Sequence, residues 1–144
     1  DIADIFVSYS ELKAIEISGD IISSLIDELP ILFIACAYAS GKSIISNIEE
    51  LRYKESDRIL SMEQGLRELG IDVSSTESSI SINGGQINGG IVDSFDDHRV
   101  AMSFAISGII SSKPITILKT KNIATSFPNF IDTLRKINVE VYEI

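Results

Sequence analysis

Residues 66–73 read LRELGIDV, and residues 134–141 read LRKINVEV. Each is the last turn of an amphipathic helix, a short turn and the start of a strand with alternating apolar residues. The two copies lie about 70 residues apart, which reads as an internal duplication. Working outward, Asp27 and Asp97 each read as the N-cap of an apolar helix. The first of these helices has Pro30 in its opening turn, where a missing N–H costs least, and Gly41 closing it. Its interior, residues 31–39, is apolar almost all round, which predicts a helix buried on both sides. Residues 97–111 form the second, rich in small side chains.

The remaining elements fall around these two. Residues 3–9 and 13–17 read as extended runs, 42–46 as a strand, and 71–75 with 79–83 as a hairpin. Residues 55–69 read as an amphipathic helix carrying Ile59, Leu60, Met62, Leu66 and Leu69 on one side and ending at Gly70. A glycine-rich turn at 84–90 leads to a strand near 90–94. Then follow a strand at 114–119, a helix at 128–137 and a strand at 139–143. The pattern predicts an α/β (α+β) chain of two βαβαββ-like units, approximately 1–75 and 76–144.

Composition limits what such a chain does. The 144 residues are 44% hydrophobic and 23% charged, enough apolar matter for a core without disulfides or metals. Twelve basic residues against 21 acidic ones give a net charge of −9, which argues against a nucleic-acid or anionic-membrane surface. A single cysteine, Cys36, excludes a disulfide framework and suits a reducing, cytoplasmic compartment. With one histidine, His98, no multi-histidine or multi-cysteine zinc site is available, so no metal is expected. The most apolar stretch, residues 29–39, is too short to span a bilayer, and no targeting signal is visible. The first residue is Asp1, not methionine, so the chain is expected to be a piece of something longer.

Four stretches could carry chemistry. Residues 36–43, CAYASGKS, end like a phosphate-binding loop, but they follow a helix and enter a strand, so no backbone cradle would form. The glycine pairs Gly84–Gly85 and Gly89–Gly90 lack dinucleotide-binding spacing and suit a hairpin connection. Residues 49–58, EELRYKESDR, place Lys54, Glu55 and Arg58 at a helix N-terminus, where cations and free N–H groups suit an anionic ligand and Glu55 is available for proton transfer. Residues 95–99, FDDHR, put Arg99 on an otherwise apolar helix, where it needs a carboxylate or phosphate partner, or a structural acid such as Asp96. Asp27–Glu28 opens the first apolar helix. Duplicated units place equivalent helix ends on one face, so Asp27, residues 54–58 and residues 97–99 are expected to converge.

These residues carry a family resemblance. DELP at 27–30, KESDR at 54–58, DHR at 97–99 and IATSFPNF at 123–130 resemble the C-terminal part of the 5-enolpyruvylshikimate-3-phosphate synthase family (3-phosphoshikimate 1-carboxyvinyltransferases), in order and spacing along the whole chain. The resemblance implies the enolpyruvyl transferase fold, with this chain forming two units of one lobe and an active site in the cleft facing a partner lobe. It implies transfer of the enolpyruvyl group of phosphoenolpyruvate to the 5-hydroxyl of shikimate 3-phosphate, on the way to chorismate and the aromatic amino acids, with release of phosphate and no cofactor. Residue by residue, Asp27 matches the proton acceptor near the 5-hydroxyl and Glu55 the acid that exchanges a proton with the methylene. Lys54 matches a substrate-contacting lysine, and Arg58 and Arg99 the pair that holds the phosphoenolpyruvate carboxylate. Asp97 and His98 match motif residues expected to orient Arg99.

Two positions depart from the common pattern. Thr125 stands where many members have lysine, and Glu50 where many have asparagine, as in a glyphosate-tolerant-like subgroup or a diverged sequence. The N-terminal lobe, expected to be missing from this chain, is implied to hold most of the shikimate 3-phosphate site. The chain alone is therefore expected to be inactive. Two rivals remain open: the related UDP-N-acetylglucosamine enolpyruvyl transferase, and a non-catalytic duplicated α/β module binding anionic metabolites.

Overall fold

A computed structural model describes residues 3–143. Its first sheet is built on strand β2 (Lys42–Ser46), which pairs parallel with the short β1 (Glu16–Ile17) and antiparallel with β4 (Ser79–Asn83). Strand β3 (Asp72–Ser75) adds antiparallel to β4, giving the order β1-β2-β4-β3. In β4 the alternation Ser-Ile-Ser-Ile turns Ile80 and Ile82 fully into the core, as a half-buried strand requires. A second sheet pairs β5 (Gly90–Asp93) parallel with β6 (Ile115–Leu118).

Each parallel pair needs a crossover, and a helix supplies it. Between β1 and β2 run α1 (Ile21–Leu25), a 3₁₀ turn (Ile26–Glu28) and α2 (Leu29–Tyr38); between β5 and β6 runs α4 (His98–Ser107). Helix α3 (Arg58–Glu68) follows β2, and α5 (Ile123–Ser126) with α6 (Phe130–Lys136) follow β6. The order strand, helix, strand, helix thus occurs in both halves, while the hairpin β3–β4 follows only the first among the described residues. Phe33 of α2, Met62 and Leu66 of α3 and Phe104 of α4 are fully buried in one core, each contributing on the order of 1.5–3 kcal/mol.

Helices α2 and α4 run side by side in the same direction. The Tyr38 hydroxyl, near the end of α2, donates to the Ser107 carbonyl, at the end of α4, over 2.8 Å. Burial pushes the Tyr38 phenol up to about 12, so this donor keeps its proton through the physiological range. Helix α3 meets α4 at Gly65, where a Cβ would lie 2.2 Å from the buried Phe104 ring. These contacts join the C-terminal halves of the helices; at the opposite ends Arg58 binds both Asp27 and Asp97, and that is where the site forms.

Several expectations are corrected. Asp27 is not an N-cap: helix begins at Ile21, and Asp27 sits in the 3₁₀ turn without a side-chain cap bond, so its carboxylate is free for other partners. Ile21–Tyr38 is consequently 18 residues of helix with mean hydropathy 1.7, long and apolar enough by composition to cross a membrane. Here it carries Asp27 and Glu28 midway and buries Leu29, Phe33 and Ile34, as a core helix does. Burial of α2 is not all round, because Ile31 is exposed. Leu60 is exposed rather than on the buried side of α3, and Glu55 precedes that helix instead of lying on it. Helix α4 ends at Ser107, and α5 was not anticipated.

Two expected strands do not form. Residues 3–9 pair with no strand among the described residues and leave Ile5, Phe6, Val7 and Tyr9 exposed; pairing begins with the Lys13–Ser40 bridge. Residues 139–143 follow α6 as β3 follows α3, but no strand among the described residues stands beside β6 in the place β4 takes beside β2. Without that neighbour, alternation alone makes no ladder. The glycine pairs are not a hairpin either, since they carry the chain from β4 to β5. A Cβ on Gly84 would lie 1.6 Å from the Ala39 carbonyl oxygen, so close backbone approach explains that glycine.

Candidate active site

Three loop-to-helix junctions supply the side chains. The first is the 3₁₀ turn at Ile26–Glu28, carrying Asp27 and Glu28. The second is the loop between the 3₁₀ helix Glu49–Tyr53 and α3, carrying Lys54, Glu55 and Ser56, with Asp57 capping α3 by accepting from the Leu60 N–H at 3.0 Å. The third precedes α4. There Phe95 and Asp96 adopt left-handed backbone, φ 53° and 60°, which reverses the chain so that Asp97 caps the helix. Two consecutive non-glycine residues in that region cost roughly 1–3 kcal/mol each. Asp97 Oδ1 accepts from the N–H groups of Arg99 at 2.9 Å and Val100 at 3.3 Å.

Arg58 is the centre of the cluster. It is 1% exposed, and its guanidinium binds three carboxylates from three segments: Asp97 Oδ2 from Nε at 2.8 Å, Asp27 Oδ1 from Nη1 at 3.2 Å, and Glu55 Oε2 from Nη2. A buried charge is tolerable only when paired and hydrogen-bonded, and the rigid planar fork of arginine suits that geometry. Asp97, 0% exposed, also accepts from Ser56 Oγ at 3.2 Å, and Ser61 Oγ donates to Ser56 at 3.2 Å. Burial works to raise the Asp97 pKa, but the hydrogen bond and charge of Arg58, with the two α4 amides, outweigh it and hold the carboxyl below its ordinary value.

The other cations are only partly buried. Lys54 Nζ lies 2.7 Å from Glu50 Oε1 and 3.6 Å from Asp27 Oδ1; its hydrogen bond to Glu50 holds its pKa up. Arg99 Nη1 donates to the Asp27 carbonyl at 2.7 Å and to Glu28 Oε1 at 3.0 Å. For Asp27, partial burial works to raise the pKa, but Lys54, Arg99 and Arg58 together overcome it, so this carboxylate is ionised at neutral pH. His98 Nδ1 stands 4.0 Å from Glu55 Oε1.

All seven residues singled out from the sequence, Asp27, Lys54, Glu55, Arg58, Asp97, His98 and Arg99, therefore meet in one cluster. Asp97 and His98, expected to orient Arg99, also have other partners. The Asp97 side chain binds the Arg58 guanidinium and meets Arg99 only at its backbone N–H, while His98 faces Glu55. The partner of Arg99 is Glu28, not Asp96. No group of metal-ligating side chains occurs among the described residues. Chemically, the cluster offers cations for an anion and two half-exposed carboxylates, Asp27 and Glu55, that can exchange protons with it.

Comparison with known proteins gives this arrangement its place. The family profile for EPSP synthase (3-phosphoshikimate 1-carboxyvinyltransferase) matches residues 1–134. The chain belongs to the EPSP synthase family. It is 46% identical over 142 residues to the 3-phosphoshikimate 1-carboxyvinyltransferase of Legionella pneumophila strain Paris, covering 99% of this chain and 33% of that protein. It is 44% identical to that of Coxiella burnetii strain CbuK_Q154, over 96% of this chain and 32% of that one. The chain thus spans about a third of the length of the curated relatives it matches.

Among solved structures, EPSP synthase from Acinetobacter baumannii superposes with a TM-score of 0.84 at 44% identity, over 88% of this chain and 30% of that one. The enolpyruvyl transferase NikO from Streptomyces tendae, at 15% identity and a TM-score of 0.68, shares the fold. The enolpyruvyl transferase fold expected from the sequence is therefore shown.

Ser56, Ser61 and the Glu28–Arg99 pair were not singled out from the EPSP synthase motifs. A serine inside a run of charges carries no signal of its own. Its role appears only once Asp97, 41 positions away, arrives beside it.

Proposed function

We propose that the full-length protein carrying this chain transfers the enolpyruvyl group of phosphoenolpyruvate to the 5-hydroxyl of shikimate 3-phosphate and releases phosphate. The observation that carries this reading is one buried arginine shared by Asp27 and Glu55, flanked by the partly buried cations Lys54 and Arg99. Asp27 takes the proton of the attacking hydroxyl. Glu55 gives a proton to the methylene carbon as the hydroxyl oxygen bonds to the central carbon, forming a tetrahedral intermediate. Loss of phosphate, which carries off the proton held by Asp27, and return of a methyl proton to Glu55 restore the vinyl group and both carboxyl groups.

Arg99 and Arg58 hold the carboxylate of phosphoenolpyruvate, and Lys54 contacts substrate. Because Arg58 is 1% exposed, a ligand reaches it only by drawing Asp27 or Glu55 away from it. That exchange has a chemical use. An anion on the cations weakens the pull that keeps Asp27 ionised, so its proton affinity rises when a base is required. A positioned base and acid contribute roughly 10²–10⁴-fold each to such a step. The remaining two thirds of the relatives' length would supply the other face of the cleft and the rest of the shikimate 3-phosphate site. A cytoplasmic location suits the lone, buried Cys36.

The test is phosphate release by the full-length protein. Release that requires both substrates supports the reading, and its absence sinks it. The 144-residue chain alone should give none. Arg99→Ala in the full-length protein should lower kcat/KM for phosphoenolpyruvate about tenfold to a hundredfold, the worth of a charge-assisted hydrogen bond.

A further inference from the structure

Glu55, read above as the acid that protonates the methylene, sits on a stretch with no apolar anchor of its own. Leu51 and Arg58 are buried on either side of it, at 0% and 1% exposure. No residue from Arg52 to Asp57 is buried, so polar contacts must hold this stretch in place. Glu55 itself pairs with Arg58, a contact put at stake when the substrate carboxylate reaches that guanidinium. Ser56 holds to Asp97 by one neutral donor at 3.2 Å. A firmer tether lies at the start of the stretch.

Arg52 supplies it. Its Nε donates to the Glu77 carbonyl at 2.8 Å, Nη2 to the Thr76 carbonyl at 2.5 Å and Nη1 to Asp57 Oδ2 at 2.6 Å, so each guanidinium nitrogen is engaged. Both carbonyls belong to the β3–β4 turn, which is fixed by bonds of its own. The Thr76 N–H donates to the Ser79 carbonyl at 2.9 Å, and the Ile48 N–H to the Ser78 carbonyl at 3.1 Å. Asp57 caps α3 through its other oxygen, Oδ1. Arg52 and Asp57 thus close the loop carrying Lys54, Glu55 and Ser56 at its two ends and dock it on the hairpin. None of the three acceptors is a group that the proposed proton transfers or the carboxylate clamp use.

We infer that Arg52 is a positioning residue for the proton transfer at Glu55, acting through Asp57 and the β3–β4 turn without touching substrate. The inference rests on the reading of Glu55 as the acid. Arg58 and Arg99, which hold the carboxylate, stand on α3 and α4 and not on the loop. Loosening the loop therefore weakens the transition state more than substrate binding, and its cost falls on kcat more than on KM. A misplacement of about 1 Å can cost roughly 100-fold; with the Ser56 contact still in place, the expected loss is about tenfold.

The experiment uses the full-length enzyme with shikimate 3-phosphate saturating and phosphoenolpyruvate varied. Arg52→Lys keeps the charge, and so the field at Glu55, but a single ammonium cannot bridge three acceptors. It should lower kcat about tenfold and move KM less than about threefold. Asp57→Asn keeps an amide oxygen to cap α3 and loses the charged partner, so it should lower kcat by a smaller factor. The two losses should not multiply in the double variant, because both cut one tether. The solvent deuterium isotope effect on kcat should rise in each, since proton transfer to carbon becomes slower; a smaller folded fraction would not move it. Unchanged kcat in Arg52→Lys overturns the inference, whatever happens to the unfolding midpoint. An unchanged isotope effect or losses that multiply overturn it equally. Should Arg52→Lys fail to fold, Asp57→Asn decides by kcat and the isotope effect. Glu55→Gln separates these failures from failure of the underlying reading. If it lowers kcat about 100-fold or more, the acid stands and only Arg52 is dismissed. If it leaves kcat near the parent, the reading of Glu55 fails and the inference goes with it.

Discussion

Asp97→Ala should destabilise the protein by about 3–5 kcal/mol, the range for breaking a buried ion pair from one side. Asp97 is 0% exposed and accepts from four donors: Arg58 Nε, Ser56 Oγ and the amides of Arg99 and Val100. Removing it leaves a 1%-exposed guanidinium with Asp27 and Glu55, which are half exposed and cannot follow it inward. The lost N-cap alone costs about 1 kcal/mol. Asp97→Asn keeps a good cap and loses the charge, so its cost should be smaller. Urea unfolding reads both as a lowered midpoint at unchanged slope. A loss below about 1 kcal/mol for alanine would mean the pair adds nothing net to the fold.

The same pair fixes a pH dependence. The folded pKa of Asp97 lies below its ordinary value of 3.8, so the unfolded chain binds its proton first. The stabilisation is fully present above the ordinary value and is lost as pH falls through the folded one. Acid unfolding of the Asp97→Asn variant should accordingly be flatter below about pH 3.8 than that of the parent, once both are referred to neutral pH.

How much of this could be read from the chain itself differs from one aspartate to the other. Asp97 was expected to cap a helix and does, because the cap depends on two amides directly ahead of it. Asp27 was expected to cap and does not, because residues 21–26 continue the helix upstream and leave no free end for it. Arg58 was recognised beside Glu55 by spacing, but its burial depends on Asp97, 39 positions away. Strands β2, β3 and β4, which pair with one another, match the sequence reading to within a residue of their ends. Residues 3–9 and 139–143 have the same alternation without a neighbour, and they form no strand. Local pattern decides which way a side chain points; pairing is decided by what stands alongside.

The reaction reading makes its sharpest demand at Asp27. In the full-length enzyme Asp27→Asn should lower kcat by about 10²–10⁴-fold, the usual worth of a positioned base. The substitution is nearly isosteric. An amide oxygen can still accept from Arg58, and the backbone carbonyl that holds Arg99 is untouched, so folding and the anion clamp should survive. What disappears is the ability to take a proton. KM for phosphoenolpyruvate should therefore move much less than kcat, which separates a lost base from a disordered site. The pH profile adds a second check. Within this chain Lys54, Arg99 and Arg58 hold Asp27 below its ordinary 3.8, so its acid limb in kcat/KM is expected below that value. Any limb nearer neutrality belongs to another group and should persist in Asp27→Asn. A variant with kcat close to the parent would remove Asp27 from the mechanism and leave it as a counter-ion of Arg58 and Lys54.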